Sequence, residues 1–223
     1  YTFVPNAQEW IIDADSIYFH YVMNETIQGV AIRDPISSEI PTICDMSSCI
    51  LSEEVDFHNL DLAYAGAQKN IGPAGLTLVI IKKDFLEKAN EDIPDILSYK
   101  KNSQAGSMLN TPPTFAWYLA GKVFKWLLKN GGVKSIQKEN EKKAKFLYDF
   151  IDSSSFYSNP VEKEHRSIMN VPFLLNDKNA DSSFLEKSKM NGLLNLKGHR
   201  SVGGMRASIY NATPVSYTHL RAH

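Results

Sequence analysis

Four short apolar or β-branched runs, at 16–22 (SIYFHYV), 42–44, 60–65 and 76–81, are separated by polar, Gly- or Pro-bearing connections. This punctuation constrains the chain more than any other feature, because it reads as the strands of one sheet. The last two runs are joined through the 66–75 turn and are predicted neighbours, while the wider spacing of the earlier ones leaves room for compact crossovers. The expectation is an α/β chain with a mixed or parallel sheet.

Beyond the sheet the period changes. Ala116, Ala120, Val123 and Leu127 share one face of a helix predicted over 115–130, started at Pro112-Pro113 and stopped by Gly131-Gly132. A second helix is predicted over 133–151, with Ile136, Ala144, Leu147 and Ile151 inward and its lysines and glutamates on a solvated face. A strand over 168–175, a helix over 182–190 and a strand over 205–210 complete a small α+β domain. The expected division is 1–131 and 132–223, with no repeat and no long linker, so the two parts should pack closely.

Composition removes several function classes. With 24 Lys and Arg against 25 Asp and Glu there is no basic excess to meet nucleic acid. The longest apolar runs fall far short of the roughly 20 residues of a bilayer span, and no signal-peptide pattern opens the chain, so a cytoplasmic protein is expected. Cys44 and Cys49 are too few for a disulfide framework and lack zinc-site spacing. They are expected to be reduced and near the core, and no metal is expected. With 43% hydrophobic residues the 223-residue chain can build a core. It starts at Tyr1 rather than Met and enters a strand almost at once, which suggests a beginning in mid-domain.

Open α/β sheets bind ligands outside the carboxyl ends of their strands. The polar residues there are Asn24-Glu25-Thr26, Asp45 and Lys69. A hydroxyl, a carboxylate and a lysine from three strand ends suit a pyridine cofactor bearing an aldehyde, though only as a set. Taken alone, Lys69 is a surface lysine, Asp45 is equally a helix N-cap before Met-Ser-Ser, and Thr26 is a turn residue. The surroundings of Lys69, AGAQKNIGPAG at 65–75, are small residues that let backbone approach a ligand, and an apolar strand follows.

That segment closely resembles the lysine segment of phosphoserine aminotransferases, which are class V aminotransferases of pyridoxal-phosphate fold type I. The resemblance continues through NETIQGV at 24–30, CDMSSCILS at 44–52, MLNTPPTFAWYLAG at 108–121 and KGHRSVGGMRASIYNA at 197–212. It implies that Lys69 carries pyridoxal 5'-phosphate, that Asp45 pairs with the pyridinium nitrogen, that Thr26 contacts the ring oxygen and that Gln68 helps hold the phosphate. Asn110 and Thr111 resemble a pair that reaches the partner subunit's cofactor phosphate, which implies a homodimer. Arg206 resembles the arginine for the substrate α-carboxylate, and His199 and Arg200 resemble receivers of the distal phosphate or carboxylate. The implied reaction is a ping-pong exchange between L-glutamate and 3-phosphohydroxypyruvate giving 2-oxoglutarate and O-phospho-L-serine, in serine and also pyridoxine biosynthesis.

Two departures accompany the resemblance. The family segment that precedes Tyr1 supplies a cradle for the cofactor phosphate, a stacking ring and another substrate arginine, so the literal chain is expected to be truncated and to leave the site incomplete. Residues 215–223 (VSYTHLRAH) read as a non-native tail. The rival readings are another class V enzyme, either alanine–glyoxylate-type or a cysteine desulfurase, and a non-catalytic fragment or scaffold. The KGHR segment and the lack of a mobile-loop cysteine weigh against the first two.

Overall fold

Alternation within the first run selects its strand. In the computed structural model, which describes residues 1–216, β1 is Phe19–Val22, with Tyr21 buried between exposed His20 and Val22, and residues 16–18 stay outside it. A hairpin of β2 (Asn24–Glu25) and β3 (Val30–Ala31) follows. Gly29 turns it at φ +72°, where a Cβ would stand 2.3 Å from Pro172 Cδ, so only glycine fits. Then come β4 (Thr42–Asp45), β5 (Leu62–Gly66) and β6 (Thr77–Ile81). The sheet order is β1-β4-β5-β6, with β1, β4 and β5 parallel and β6 antiparallel to β5. The sheet is thus mixed, and the two runs flanking the 66–75 turn are neighbours as expected. The second run reaches one residue further than its apolar pattern, which puts the Asp45 carboxylate on the last strand position.

The period of two sorts the faces of this sheet. Tyr21, Cys44, Ala63 and Ala65 point into a first core cluster with Met46, Cys49, Ile50, Ile71 and Ala120. His20, Val22, Ile43, Asp45 and Tyr64 share the opposite, more open face. Two short helices not anticipated from the sequence, α1 (Lys83–Leu86) and α2 (Tyr99–Gln104), lead to α3 (Thr114–Lys129). The latter begins directly after Pro112-Pro113 and stops before Gly131 at φ +90°, as the punctuation predicts. Its Ala120 backbone lies close enough to Gly72 that a Cβ there would be 3.5 Å from the Ala120 nitrogen.

The longest helix, α4 (Gly132–Ser153), sends Ala144, Tyr148 and Ile151 into a second core cluster. That cluster is closed by β7 (Tyr157–Ser158), β8 (Asn170–Leu175), α5 (Asp181–Met190) and β9 (Met205–Ser208), whose strands form an antiparallel sheet in the order β7-β8-β9. Two expectations need correction here. The final strand ends at Ser208 rather than residue 210, because the carbonyls of Ile209 and Tyr210 turn to α4 instead of a neighbouring strand. Their partner is Lys143, expected on the solvated face but only 1% exposed, with Nζ donating at 3.1 and 2.9 Å to those carbonyls. Burial pushes this amine down to about 8. Among the described residues no helix is long and apolar enough to cross a membrane. Most of the expected tail, 217–223, lies outside the described residues.

Candidate functional site

Parallel pairing brings the strand ends to one level: Val22, Asp45 and Tyr64 are register partners across β1, β4 and β5. Three residues past the end of β5, Lys69 sits in a tight turn closed by Ala67, whose N–H donates to Leu76 O and whose carbonyl accepts from Ile71 and Gly72 at 3.1 and 2.7 Å. Ala67 is fully buried, so this turn is fixed from below. Lys69 itself is half-buried, and loss of water lowers its pKa from the ordinary lysine value. The Arg206 charge acts in the same direction, while Asp45, Cys49 and Glu25 oppose it. An amine placed this way gives up its proton more readily than a surface lysine.

Asp45 caps, as one reading expects, but it caps a turn and not a helix. Its Oδ1 accepts from the Ser47 N–H at 2.8 Å, capping the turn that follows β4, and the Ser47 hydroxyl accepts from the Gly66 N–H at 3.1 Å, tying that turn to the end of β5. The carboxylate also bears electrostatically on Lys69. Beside it, burial first and the Asp45 charge second raise the pKa of the Tyr64 hydroxyl. His20 Nε2 stands 3.1 Å from that hydroxyl, with the two rings stacked at 6.0 Å and 22°.

The second sheet contributes Arg206, on β9 and half-buried, whose Nη1 donates to the Thr26 carbonyl at 3.0 Å. Thr26 is therefore engaged through its backbone, and its half-buried side chain belongs to the β2–β3 hairpin turn. A buried polar seam lies next to it. Asn24 Nδ2 donates to Ser48 Oγ at 2.7 Å and to Asn170 Oδ1 at 3.0 Å, and its Oδ1 accepts from the Ser167 hydroxyl. Each group in such a seam is paired because a lone buried dipole is costly.

Lys69, Asp45, Thr26 and Arg206 thus converge, and the other expected residues sit differently. Gln68 is exposed, and its side chain folds over Gly66, where a Cβ would meet Oε1 at 2.5 Å. His199 and Arg200 ride a hairpin closed by Gly198 N–H to Gly204 O at 2.8 Å and by Val202 and Gly203 N–H to His199 O at 3.0 and 2.9 Å. Within it, His199 Nδ1 is 2.7 Å from Ser201 Oγ, and Arg200 is exposed. Asn110 and Thr111 are also exposed, with the Asn110 amide donating to Thr111 O at 3.3 Å; among the described residues no hydrogen bond links them to Lys69.

Several residues near the site were not singled out by sequence reasoning. Tyr64 and His20 lie on the sheet face of Asp45 and Ser47 is two residues beyond it, so a period-two count outward from Asp45 would have flagged them, while Asn70 adjoins Lys69 inside a motif already quoted. Glu25 carried no assigned role. The cysteines behave as expected of core thiols: both are free and buried, and burial pushes Cys44 up to about 12 and Cys49 well above the usual range. Such thiols are poor nucleophiles. A separate cavity of about 1330 Å³, lined mainly by apolar residues such as Phe150, Tyr157, Phe173 and Phe184, touches Arg206 but neither Lys69 nor Asp45.

Comparison with known proteins identifies the family. Phosphoserine aminotransferase of Acinetobacter baylyi is 54% identical over 212 residues, covering 95% of the chain and 59% of that protein. Its counterpart in Pseudoalteromonas translucida is 55% identical over 213 residues, again 95% and 59%. The crystal structure of pyridoxal-phosphate-bound phosphoserine aminotransferase from Trichomonas vaginalis superposes with a TM-score of 0.91 at 40% identity, over 97% of this chain and 62% of that one. The chain spans about 59% of the length of the curated relatives it matches. Residues 2–216 match the family described as Aminotransferase class-V, and the chain, which has the fold of the pyridoxal-phosphate-dependent type I transferases, belongs to that family.

Proposed function

We propose that this chain is the larger part of a phosphoserine aminotransferase, exchanging an amino group between L-glutamate and 3-phosphohydroxypyruvate by a ping-pong route. The observation that carries the reading is the half-buried Lys69 amine, held on a turn closed by Ala67, lowered in pKa by burial and subject to the charges of both Asp45 and Arg206. The donor set suits pyridoxal phosphate: a depressed amine would take its aldehyde, a carboxylate at the end of a neighbouring strand its ring nitrogen, and the Gln68 amide, folded over Gly66, its phosphate. When bound, the group supplies an aldehyde for covalent attachment and a ring that takes up the electron pair left by a departing Cα proton.

The chain's own residues do the rest. Lys69, uncharged more often than a surface lysine, takes the proton from the substrate Cα and returns it one atom away. Asp45 keeps the ring nitrogen protonated, and its bond to the Ser47 N–H keeps the carboxylate oriented. Thr26 would contact the ring oxygen and Gln68 would help hold the phosphate. Arg206 meets the α-carboxylate with its planar fork, and His199 and Arg200 meet the distal phosphate or carboxylate. Asn110 and Thr111, exposed ahead of α3, reach the cofactor phosphate of a second copy in a cytoplasmic homodimer. The division near residue 132 separates the cofactor-carrying part from the substrate-closing part, a reading supported by the two separate core clusters.

The test is to load wild type and Lys69→Ala with pyridoxal phosphate, to reduce one portion of each with borohydride and locate the modified residue by mass spectrometry, and to follow the visible band of an unreduced portion on adding O-phospho-L-serine. Modification at Lys69, and a band that phosphoserine bleaches, are expected. Equal modification and bleaching in Lys69→Ala would remove Lys69 from the reaction.

A further inference from the structure

The turn after β4 has an unusual set of partners. Leu51 adopts φ +62°, a left-handed conformation that a branched side chain rarely takes. The three consecutive carbonyls around it are each held by an asparagine from a different element. Asn70 Nδ2 donates to Ile50 O at 3.0 Å, Asn211 Nδ2 to Leu51 O at 2.8 Å and Asn140 Nδ2 to Ser52 O at 2.9 Å.

The asparagines also bind one another. The Asn211 N–H donates to Asn70 Oδ1 at 3.1 Å, and Asn140 Nδ2 donates to Asn211 Oδ1 at 2.9 Å. Both partners of Asn140 Nδ2 are acceptors, so the orientation of that amide is set by its surroundings. Asn70 is 6% exposed and Asn140 is fully buried, which takes these two amides out of reach of competing water, while Asn211 is half-buried. Asn70 follows Lys69 directly, and Asn211 lies three residues beyond β9, the strand of Arg206. A short chain of bonds therefore joins the lysine turn to the end of the strand that carries the arginine.

We propose that Asn70 is a positioning residue for Lys69, tethering the lysine turn through the 50–52 turn and Asn211 to the Arg206 strand, so that amine and guanidinium hold a fixed separation. The proposal rests on the reading of Lys69 as cofactor-bearing and of Arg206 as carboxylate-binding. Its physical basis is that a shift on the order of 1 Å in a reacting group costs about a hundredfold in rate, so a lysine on a turn with one loose flank would be costly. Asn140 braces the far side of the same hub through Ser52 O and Asn211 Oδ1, one step removed from the lysine turn, so its loss should be felt at Lys69 less than the loss of Asn70.

The first readout needs no cofactor: the pH profile of Lys69 acetylation by acetic anhydride in the chain, with stability followed by urea unfolding. In Asn70→Ala the midpoint should move up toward an ordinary lysine, since a loosened turn admits water to the amine, whereas Asn140→Ala should lose stability and move the midpoint by clearly less. The second readout is turnover in the cofactor-loaded full-length enzyme, where Asn70→Ala should lower kcat by about tenfold to a hundredfold and Asn140→Ala by less than about twofold. Should Asn70→Ala fail to fold, Asn70→Ser, which keeps one polar atom but not its reach, should show the same shift in smaller measure. An unmoved midpoint in both Asn70 variants, or an equal shift in Asn140→Ala, would overturn the tether. If Lys69→Ala were still modified by the cofactor, the reading of Lys69 would fall, while the acetylation profiles would still decide the tether.

Discussion

The two regions that carry the expected chemistry are built in opposite ways. Beyond its own backbone bonds, the Lys69 turn is held by partners far away in sequence: Asn70 meets Ile50 and Asn211, and the neighbouring turn is fixed by Asp45, Ser47 and Gly66. The 197–205 hairpin, by contrast, is held almost wholly by bonds within itself, with His199 spent on Ser201 and Arg200 exposed. A group that must move a proton along a fixed path gains from long-range anchoring, because rigidity sets the distance. A group that must receive substrates of different length gains from a local, adjustable loop on a firm base.

If that contrast is right, substitutions should act on rate in the first region and on binding or local stability in the second. Asp45→Ala should give the largest effect, a fall in kcat of about 10²- to 10³-fold with the lysine still modified by cofactor, read by single-turnover absorbance. The same change should depress the Lys69 pKa further, since the Asp45 charge now raises it. Next in size is Gly198→Ala, where the new Cβ would lie 2.1 Å from Gly203 O. It should lower stability by about 2–3 kcal/mol in urea titration, and a neutral result would mean the hairpin is looser than its bonds suggest.

Arg200→Ala should raise KM for the phosphorylated substrate by about tenfold, the loss of a charge-assisted hydrogen bond, with unfolding unchanged. A fall in kcat with unaltered KM would instead place Arg200 among the rigid groups. The smallest effect concerns the base beneath the hairpin strand. Lys143 is a base whose folded pKa, about 8, lies below its ordinary 10.5, so its protonated form is penalised in the fold. Its contribution is lowest below about pH 8 and rises with pH through the window between those values. The carbonyls of Ile209 and Tyr210 favour the charged form and offset part of that penalty. The stability difference between wild type and Lys143→Met should therefore change by on the order of 1 kcal/mol across that window, and a pH-independent difference would contradict the burial of a titrating amine.

The legible and illegible parts of this protein divide along the same line. Local pattern was sufficient for β5 and β6 as neighbours, for α3 between Pro112-Pro113 and Gly131, and for Lys69 at a strand end, because period and punctuation act over a few residues. The motif around Lys69 and the hairpin motif ending at Arg206 were readable as pieces of a known family for the same reason. Pattern failed at Lys143, placed among solvated charges by its helical position, and at residues 209–210, whose apolar character suggested more strand.

By itself, then, the sequence determined the main strands, the two long helices and the family, since each is written in adjacent residues. Only the tertiary structure decided that Arg206 reaches Thr26 across 180 positions, that one buried lysine closes the end of a strand, and that three asparagines meet around Leu51. These are bonds between donors and acceptors that any exposed turn could satisfy with water. They become obligatory when packing removes the water, and a sequence read locally does not show where that happens.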